Sequence, residues 1–330
     1  MFRAPSLARC ASSTSRPSAR RQPASRAVGV YEVTTPPELS RFRSGSRFNR
    51  GGAPFYQSQR TWYIVGGFAV LGGVYYTSHL ETVPISGRTR FMDMTVQQEL
   101  AMGKQAYKEI MHQYGHLIVP NYHPAAISVQ KIARRIIEVS GIKDVEWEIY
   151  LIDHPEMNAF VIPGGKVFVF SGMLPVVQND DGLAAVLGHE IAHQLARHSA
   201  EKLSALKIVS IGQLLLTFVF DAGGLARLFA DVGLMRPFSR LCETEADYIG
   251  LKLMAQACYN PDAAVEMWKR MKMVEKGQPS QFLSTHPSHE TRIEKISEWL
   301  PEARQIREAS NCRETVQLYD LFSRSVFGRN

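Results

Sequence analysis

The chain has 330 residues, of which 45% are hydrophobic and 21% charged, with a formal net charge of +7. That apolar fraction excludes a disordered polypeptide and is enough for one catalytic-size domain with a real core. The charge sits almost wholly in residues 1–52, where ten arginines face only Glu32 and Glu38, so it gives no reason to expect nucleic acid as a partner.

Met1 to Val30 is rich in Arg, Ser and Ala and contains no acidic residue. This is the composition of a mitochondrial transit peptide, without the apolar stretch of a secretory signal; a basic tail of other purpose is the alternative. Ser44 to Gly52 reads as a linker, so that 1–52 is leader and linker together. Trp62 to Tyr76 is uncharged with aromatics at both ends. It predicts one transmembrane helix over 61–78, at the short edge of the roughly 20 residues a span needs. A buried helix is the alternative, though the paired glycines suit close packing in lipid better. Arg41, Arg43, Arg47, Arg50 and Arg60 precede the segment, while His79 and Glu81 follow it. The positive-inside rule then leaves the N-terminus in the matrix and the remainder facing the intermembrane space.

Met94 to Tyr114 and Pro124 to Ser140 have helical periodicity, and Val145 to Ile152 alternates as a half-buried strand does. The alternation resumes through Met157 to Val161, and Gly164-Gly165 turns the chain into Val167 to Phe170. We expect a small sheet in which Asn158, Ala159 and Phe160 form an edge that binds substrate as an added strand. An ordinary structural hairpin is the alternative, and both can hold.

The apolar helix Leu183 to Ala196 contains His189-Glu190-Ile191-Ala192-His193. Histidines at i and i+4 share a helix face, and both imidazoles can reach one zinc at about 2.0–2.1 Å. Glu190, beside the first ligand, is placed to act on water as a general base. A surface helix with a charged cluster is the bland reading, but this helix is too apolar for it. The third ligand is expected at Glu243 in Glu243-Thr244-Glu245-Ala246-Asp247, with Asp247 on the same face holding a ligand histidine by its other ring nitrogen. Glu245 points away and is read as a solvated carboxylate or an ion-pair partner. Arg240, one turn earlier, is a candidate to pin Glu243 or a substrate carbonyl. His198 lies off the metal-facing row of its helix and is expected to be exposed or membrane-proximal. Between these segments, 208–235 reads as a hydrophobic membrane-proximal hairpin; plain core or an oligomer contact are the alternatives. Without the leader, Cys242, Cys258 and Cys312 remain, too few for a complete disulfide framework, and Cys242 reads as a structural thiol. Residues 301–330 predict a short helical extension to which no chemistry is assigned.

The His-Glu-x-x-His and Glu-x-Glu-Ala-Asp motifs are joined by Asn158 to Gly172 before the first and Thr285 to Ile293 after the second. Over 91–300 the chain thereby resembles the gluzincin family of CAAX prenyl endopeptidases and HtpX-type membrane peptidases. That resemblance implies an α+β fold: a mainly helical zincin-type metallopeptidase domain with a small sheet beside the His-Glu-x-x-His helix, preceded by one transmembrane helix. It implies one Zn2+ per chain, and a His-Pro segment that lays His286 over the zinc as a fourth, inhibitory ligand. A loop histidine that binds substrate is the equal alternative for His286; His289 carries no assigned role. The prenyl-peptidase relatives have membrane helices where this chain has only 208–220, interrupted by Gln213. With the leader and single span, the resemblance narrows to the mitochondrial inner-membrane branch, whose activity overlaps that of the m-AAA protease. It implies a quality-control and stress-response endopeptidase with inner-membrane proteins as substrates and the lipid bilayer as a partner; a homo-oligomer is left open. A silent scaffold or chaperone with a peptidase fold, or a soluble matrix oligopeptidase, are the competing readings.

Overall fold

Residues 59–143, 145–220, 235–275, 281–286, 290–310 and Cys312 are described by a computed structural model of the chain. The leader and linker, His289, residues 221–234 and most of the C-terminal extension lie outside the described residues. The chain separates into two units, one ending at Tyr63 and the other beginning at Ile64. Helix α1 (Gln59–Ser78) opens in the first unit, and Ile64, Phe68, Leu71 and Val74 are exposed along its remainder. Among the described residues no helix is long and apolar enough to cross a membrane. In α1 two glycine pairs and three tyrosines dilute the apolar run, and the segment expected to span is a helix that falls short of that measure.

A short antiparallel ribbon, β1 (Leu80–Thr82) and β2 (Thr89–Phe91), follows directly and has no counterpart in the sequence reading. Helix α2 (Val96–Tyr114) starts later than the periodicity predicts because Thr95 caps it. The Thr95 hydroxyl accepts from Gln98 N at 3.3 Å while Gln98 Oε1 accepts from Thr95 N at 3.0 Å, which satisfies two otherwise orphaned donors. Helix α3 (Pro124–Ser140) matches its predicted bounds. Pro124 sits in its first turn, and Gly141 closes it at a φ of 72° that a side chain would resist.

The sheet comprises β3 (Glu148–Ile152), β4 (Ala159–Ile162) and β5 (Lys166–Phe170), in the order β3-β5-β4. β3 runs parallel and β4 antiparallel to the central β5, in the register Ala159 to Val169. Gly164 and Gly165, at φ of 92° and 79°, turn β4 into β5. β4 is therefore an outer strand, and it packs beside α5 (Asp180–Leu195), which follows the short α4 (Leu174–Val177).

α5 is the centre of the domain; every residue from Gly182 to Ala192 is buried. Around it pack α3, α7 (Arg236–Gln256) and α8 (Asp262–Glu275), while α10 (Glu290–Ala309) lies against α7 and α8, beyond the short α9 (Gln281–Thr285). Leu187 and Ile191 meet Ile132, Ile136, Ile249, Leu253 and Trp268 in one core. The first arm of the expected hairpin, Ile208 to Phe220, is the second half of a continuous helix, α6 (His198–Phe220). Its other arm falls almost entirely outside the described residues.

The cysteine expectation is corrected. Cys258 and Cys312 are joined in a disulfide spanning 54 residues, with Cα atoms 5.4 Å apart, and Cys242 is left as a buried thiol. An odd count leaves one cysteine over but does not prevent the other two from pairing, and the packing of α7 on α10 brings their ends together.

α5 and α7 cross at two glycines. A β-carbon on Gly188 would sit 2.8 Å from Gly250 O, and one on Gly250 would sit 2.7 Å from His189 N. Both obstacles are backbone, which cannot rotate away. Gly250→Ala is expected to destabilise the domain by about 1–3 kcal/mol through overpacking, measured as the shift in chemical-denaturation midpoint; an unshifted midpoint would show that the helices tolerate a wider gap.

Candidate metal centre

The helix that carries His189 and His193 begins where its sequence says it should. Asn179 accepts a hydrogen bond from Gly182 N at 2.8 Å, and Asp180 and Asp181 place negative charge against the helix N-terminus. The two histidines then lie one turn apart on the face toward α7, where Glu243 and Asp247 also lie one turn apart.

Four donor atoms converge there. His189 Nε2 and His193 Nε2 are 3.1 Å apart. Glu243 approaches them at 3.3 and 3.5 Å through its two oxygens. His286 Nδ1 lies 2.9 Å from Glu243 Oε2 and 3.3 Å from His189 Nε2. A tetrahedron with metal bonds of about 2.0–2.1 Å has edges of about 3.3–3.4 Å, so the spacing fits a tetrahedral cation. The electrostatics agree. Burial and Arg292 disfavour charge on His189, yet its bonds to Asp247 and Glu243 outweigh them and push the ring up to about 9. Burial works against the Glu243 carboxylate too, but His193, His189 and His286 hold it well below the usual range. Burial, helped by the neighbouring His189, His198 and His286 and opposed by Glu243, keeps His193 well below its ordinary value, as a neutral ring with lone pairs to offer. This pocket favours positive charge at its centre. Three nitrogens and a carboxylate match zinc's choice of ligands.

Glu190 is not among these four. It is buried, its Oε1 has no hydrogen-bond partner among the described residues, and His286 Nε2 is 3.5 Å from it. Burial lifts its carboxyl above the ordinary range, toward that of a working general base.

Each metal-facing histidine is held from behind. His189 Nδ1 is 3.0 Å from Asp247 Oδ1, the arrangement expected from the spacing. Asp247 is in turn gripped by Arg292, whose Nη2 donates at 2.7 Å and whose guanidinium lies 3.4 Å over the Trp268 ring. Arg292 Nη1 is also 3.5 Å from Glu243 Oε2. Arg292, not Arg240, is therefore the arginine that approaches Glu243 within ion-pair distance; Arg240 is exposed and lines the adjoining hollow. The signal that could have found Arg292 was a lone charge four residues before Ile296, on the apolar stripe of α10.

His193 has a longer tether, and here the expectation for His198 is corrected. α5 ends at Leu195, and Arg197 adopts a φ of 51°, so His198 starts a new helix rather than extending the old one. It is 5% exposed instead of solvent-facing. His198 Nδ1 is 2.8 Å from His193 Nδ1, and its Nε2 is 3.0 Å from Glu245 Oε2. Of the two readings of Glu245 the ion-pair partner holds: it is buried, and Arg88 Nε donates to it at 2.9 Å. Burial opposes its ionisation, but His198 and Arg88 hold it at about 2. Arg88 also spans Glu201 with two bonds of 2.6 and 2.7 Å. His198, Glu201 and Cys242 are close enough to suggest a second cation site. The arginines already satisfy Glu201, and burial pushes the Cys242 thiol up to about 12, where it stays protonated.

Of the expected edge residues, Phe160 borders the centre, although its ring packs on Phe168 and Phe170. With Val161, Glu190, His193, Phe238 and His286 it lines a cleft of about 200 Å³. Asn158 turns back to Glu156 at 3.3 Å, and Ala159 belongs to the core.

The family described as Peptidase family M48 matches residues 125–300. The chain is similar to the mitochondrial metalloendopeptidase OMA1 of Schizosaccharomyces pombe, with 51% identity over 273 residues, 82% of this chain and 81% of that one. Its counterpart in Saccharomyces cerevisiae is 42% identical over 266 residues, 76% of this chain and 77% of the relative. The mitochondrial metalloendopeptidase OMA1 of Homo sapiens is 35% identical over 264 residues, 74% of this chain and 50% of that longer protein.

Replacing His198 with alanine strands His193 Nδ1 in a buried place. We expect metal affinity to fall about 10–100-fold, as when such supporting partners are lost elsewhere, in competition with a chelating dye; wild-type affinity would remove His198 from the centre.

Proposed function

The chain belongs to peptidase family M48 and is a metalloendopeptidase; from that premise we propose that its metal is a single zinc ion held by His189, His193 and Glu243, with Glu190 as the general base. The observation that carries this reading is the meeting of the four donor atoms beside a buried Glu190 oxygen that has no hydrogen bond among the described residues. When bound, zinc supplies Lewis acidity toward both water and the scissile carbonyl. Glu190 takes one proton from the water whose oxygen attacks that carbonyl. It then gives the proton to the departing nitrogen as the carbon–nitrogen bond breaks, so the products are a carboxylate and an amine. No covalent intermediate is needed. The free edge of β4 is suited to hold an extended polypeptide across the cleft, which favours backbone recognition over a strict sequence requirement. The position of His286, 2.9 Å from Glu243, supports the reading of a removable fourth ligand whose segment must shift before substrate enters.

The relatives' names and the arginine-rich, acid-free leader support a mitochondrial setting. We read α1 as a single anchor in the inner membrane, with the catalytic domain in the intermembrane space and proteins of that membrane as substrates in quality control. The exposed apolar side chains of α1 and the arginines before it support this reading.

Glu190→Gln should keep one zinc per chain by elemental analysis while cleavage of an unfolded membrane protein falls about 10²–10⁴-fold. Retained cleavage would move the base elsewhere, and loss of zinc would make Glu190 a ligand. In wild type, a chelator should abolish cleavage and added zinc restore it.

A further inference from the structure

A second hollow, of about 630 Å³, adjoins the cleft that holds Glu190. Glu243 and Thr285 wall both, so the two are neighbours across the proposed third ligand. The hollow gathers cations from three helices: Lys202 of α6, Arg236 and Arg240 of α7, and Arg292 and Lys295 of α10. Its carboxylates among the described residues are Glu243 and Asp247, and both are committed elsewhere. Glu243 faces His189, His193 and His286, while Asp247 faces His189 and Arg292. Lys202, Arg240 and Lys295 form no ion pair with another described residue. Gathering like charges in one concavity is unfavourable by itself and raises the local concentration of anything negative. The hydroxyls of Thr244 and Thr291 add hydrogen-bonding capacity to the same wall.

We propose that this hollow receives an acidic side chain of the polypeptide being cleaved, so that the enzyme prefers Asp or Glu at a position on one side of the scissile bond. The inference rests on the endopeptidase reading above and names a substrate preference for it. A polypeptide laid along β4 crosses the donor cluster and continues over the shared Glu243 wall. A strand advances about 3.3 Å per residue, so the acidic residue falls within a few positions of the bond that breaks. An anionic phospholipid headgroup has the same charge, but the hollow's shared wall with the catalytic cleft favours the substrate chain.

The test uses full-length protein and quenched-fluorescence peptides in which a single Asn is exchanged for Asp at each position around the cleavage site. At one position the Asp peptide should show a kcat/KM about tenfold above its Asn partner, carried mainly by KM and shrinking as salt rises. Lys295→Glu with Arg240→Glu should bring that ratio to one or below. Exposed Lys295→Gln alone, a substitution that spares the fold, should lower it in the same direction. A wild-type ratio near one at every position overturns the proposal. So does a ratio that survives both variants while their binding to vesicles of anionic phospholipid is lost, which would assign the hollow to a headgroup. Failure of wild type to cleave any peptide would instead strike the endopeptidase reading, and this proposal with it.

Discussion

The contact of Gly188 with Gly250 governs the rest of the site. On α7, Glu243, Asp247 and Gly250 follow one another at four and three residues, so they form a single stripe facing α5. On α5 the matching stripe runs through Gly188, His189, Ala192 and His193. With no side chain at the crossing point, the two backbones approach until Gly250 nearly touches His189 N. That approach sets the separation of the histidine pair on α5 from the carboxylate pair on α7. Short carboxylate and imidazole side chains can then converge without leaving their helical rotamers. The remaining helices serve this pair: α3 and α8 pack on α5, while α10 lies over α7.

A buried cluster of histidines and carboxylates is costly unless each group finds a partner. The protein meets that cost twice, by the same device. His189 leans on Asp247, which leans on Arg292. His193 leans on His198, then Glu245, then Arg88. Both chains of contacts end in an arginine, whose planar fork holds carboxylates in a fixed direction. The first arginine lies on α10 and stacks on Trp268. The second comes from the ribbon after α1, so the ring of His193 is oriented by a residue far from it in sequence.

What the sequence revealed and what it hid follow from range. His189, Glu190 and His193 on α5, and Glu243 and Asp247 on α7, were legible because their chemistry needs fixed spacing within each helix. α3 was legible to its ends because Pro124 and Gly141 are local stop signals. Ala159 and Phe160 were legible by strand alternation, whereas Asn158 was not, since the strand starts at Ala159 and Asn158 turns back on its own loop. His198 was misread because the break before it falls at Arg197, an arginine at positive φ that leaves no glycine or proline to see. Glu245 was judged by direction on its own helix, but the groups that bury it come from the β1–β2 ribbon and α6. Arg292 gave only a faint cue, one charge in an apolar stripe.

The Cys258–Cys312 bridge has a topological consequence. It closes a covalent ring that contains α8, the His286 segment and α10, and therefore Trp268, His286 and Arg292. His189, His193 and Glu243 lie outside the ring, on the chain before it. A single backbone cut anywhere within that ring leaves both pieces linked, and under oxidising conditions the molecule keeps its mass apart from one added water. Only reduction lets the fragments part, so a nicked chain and an intact one are indistinguishable in size until the sulfurs are separated.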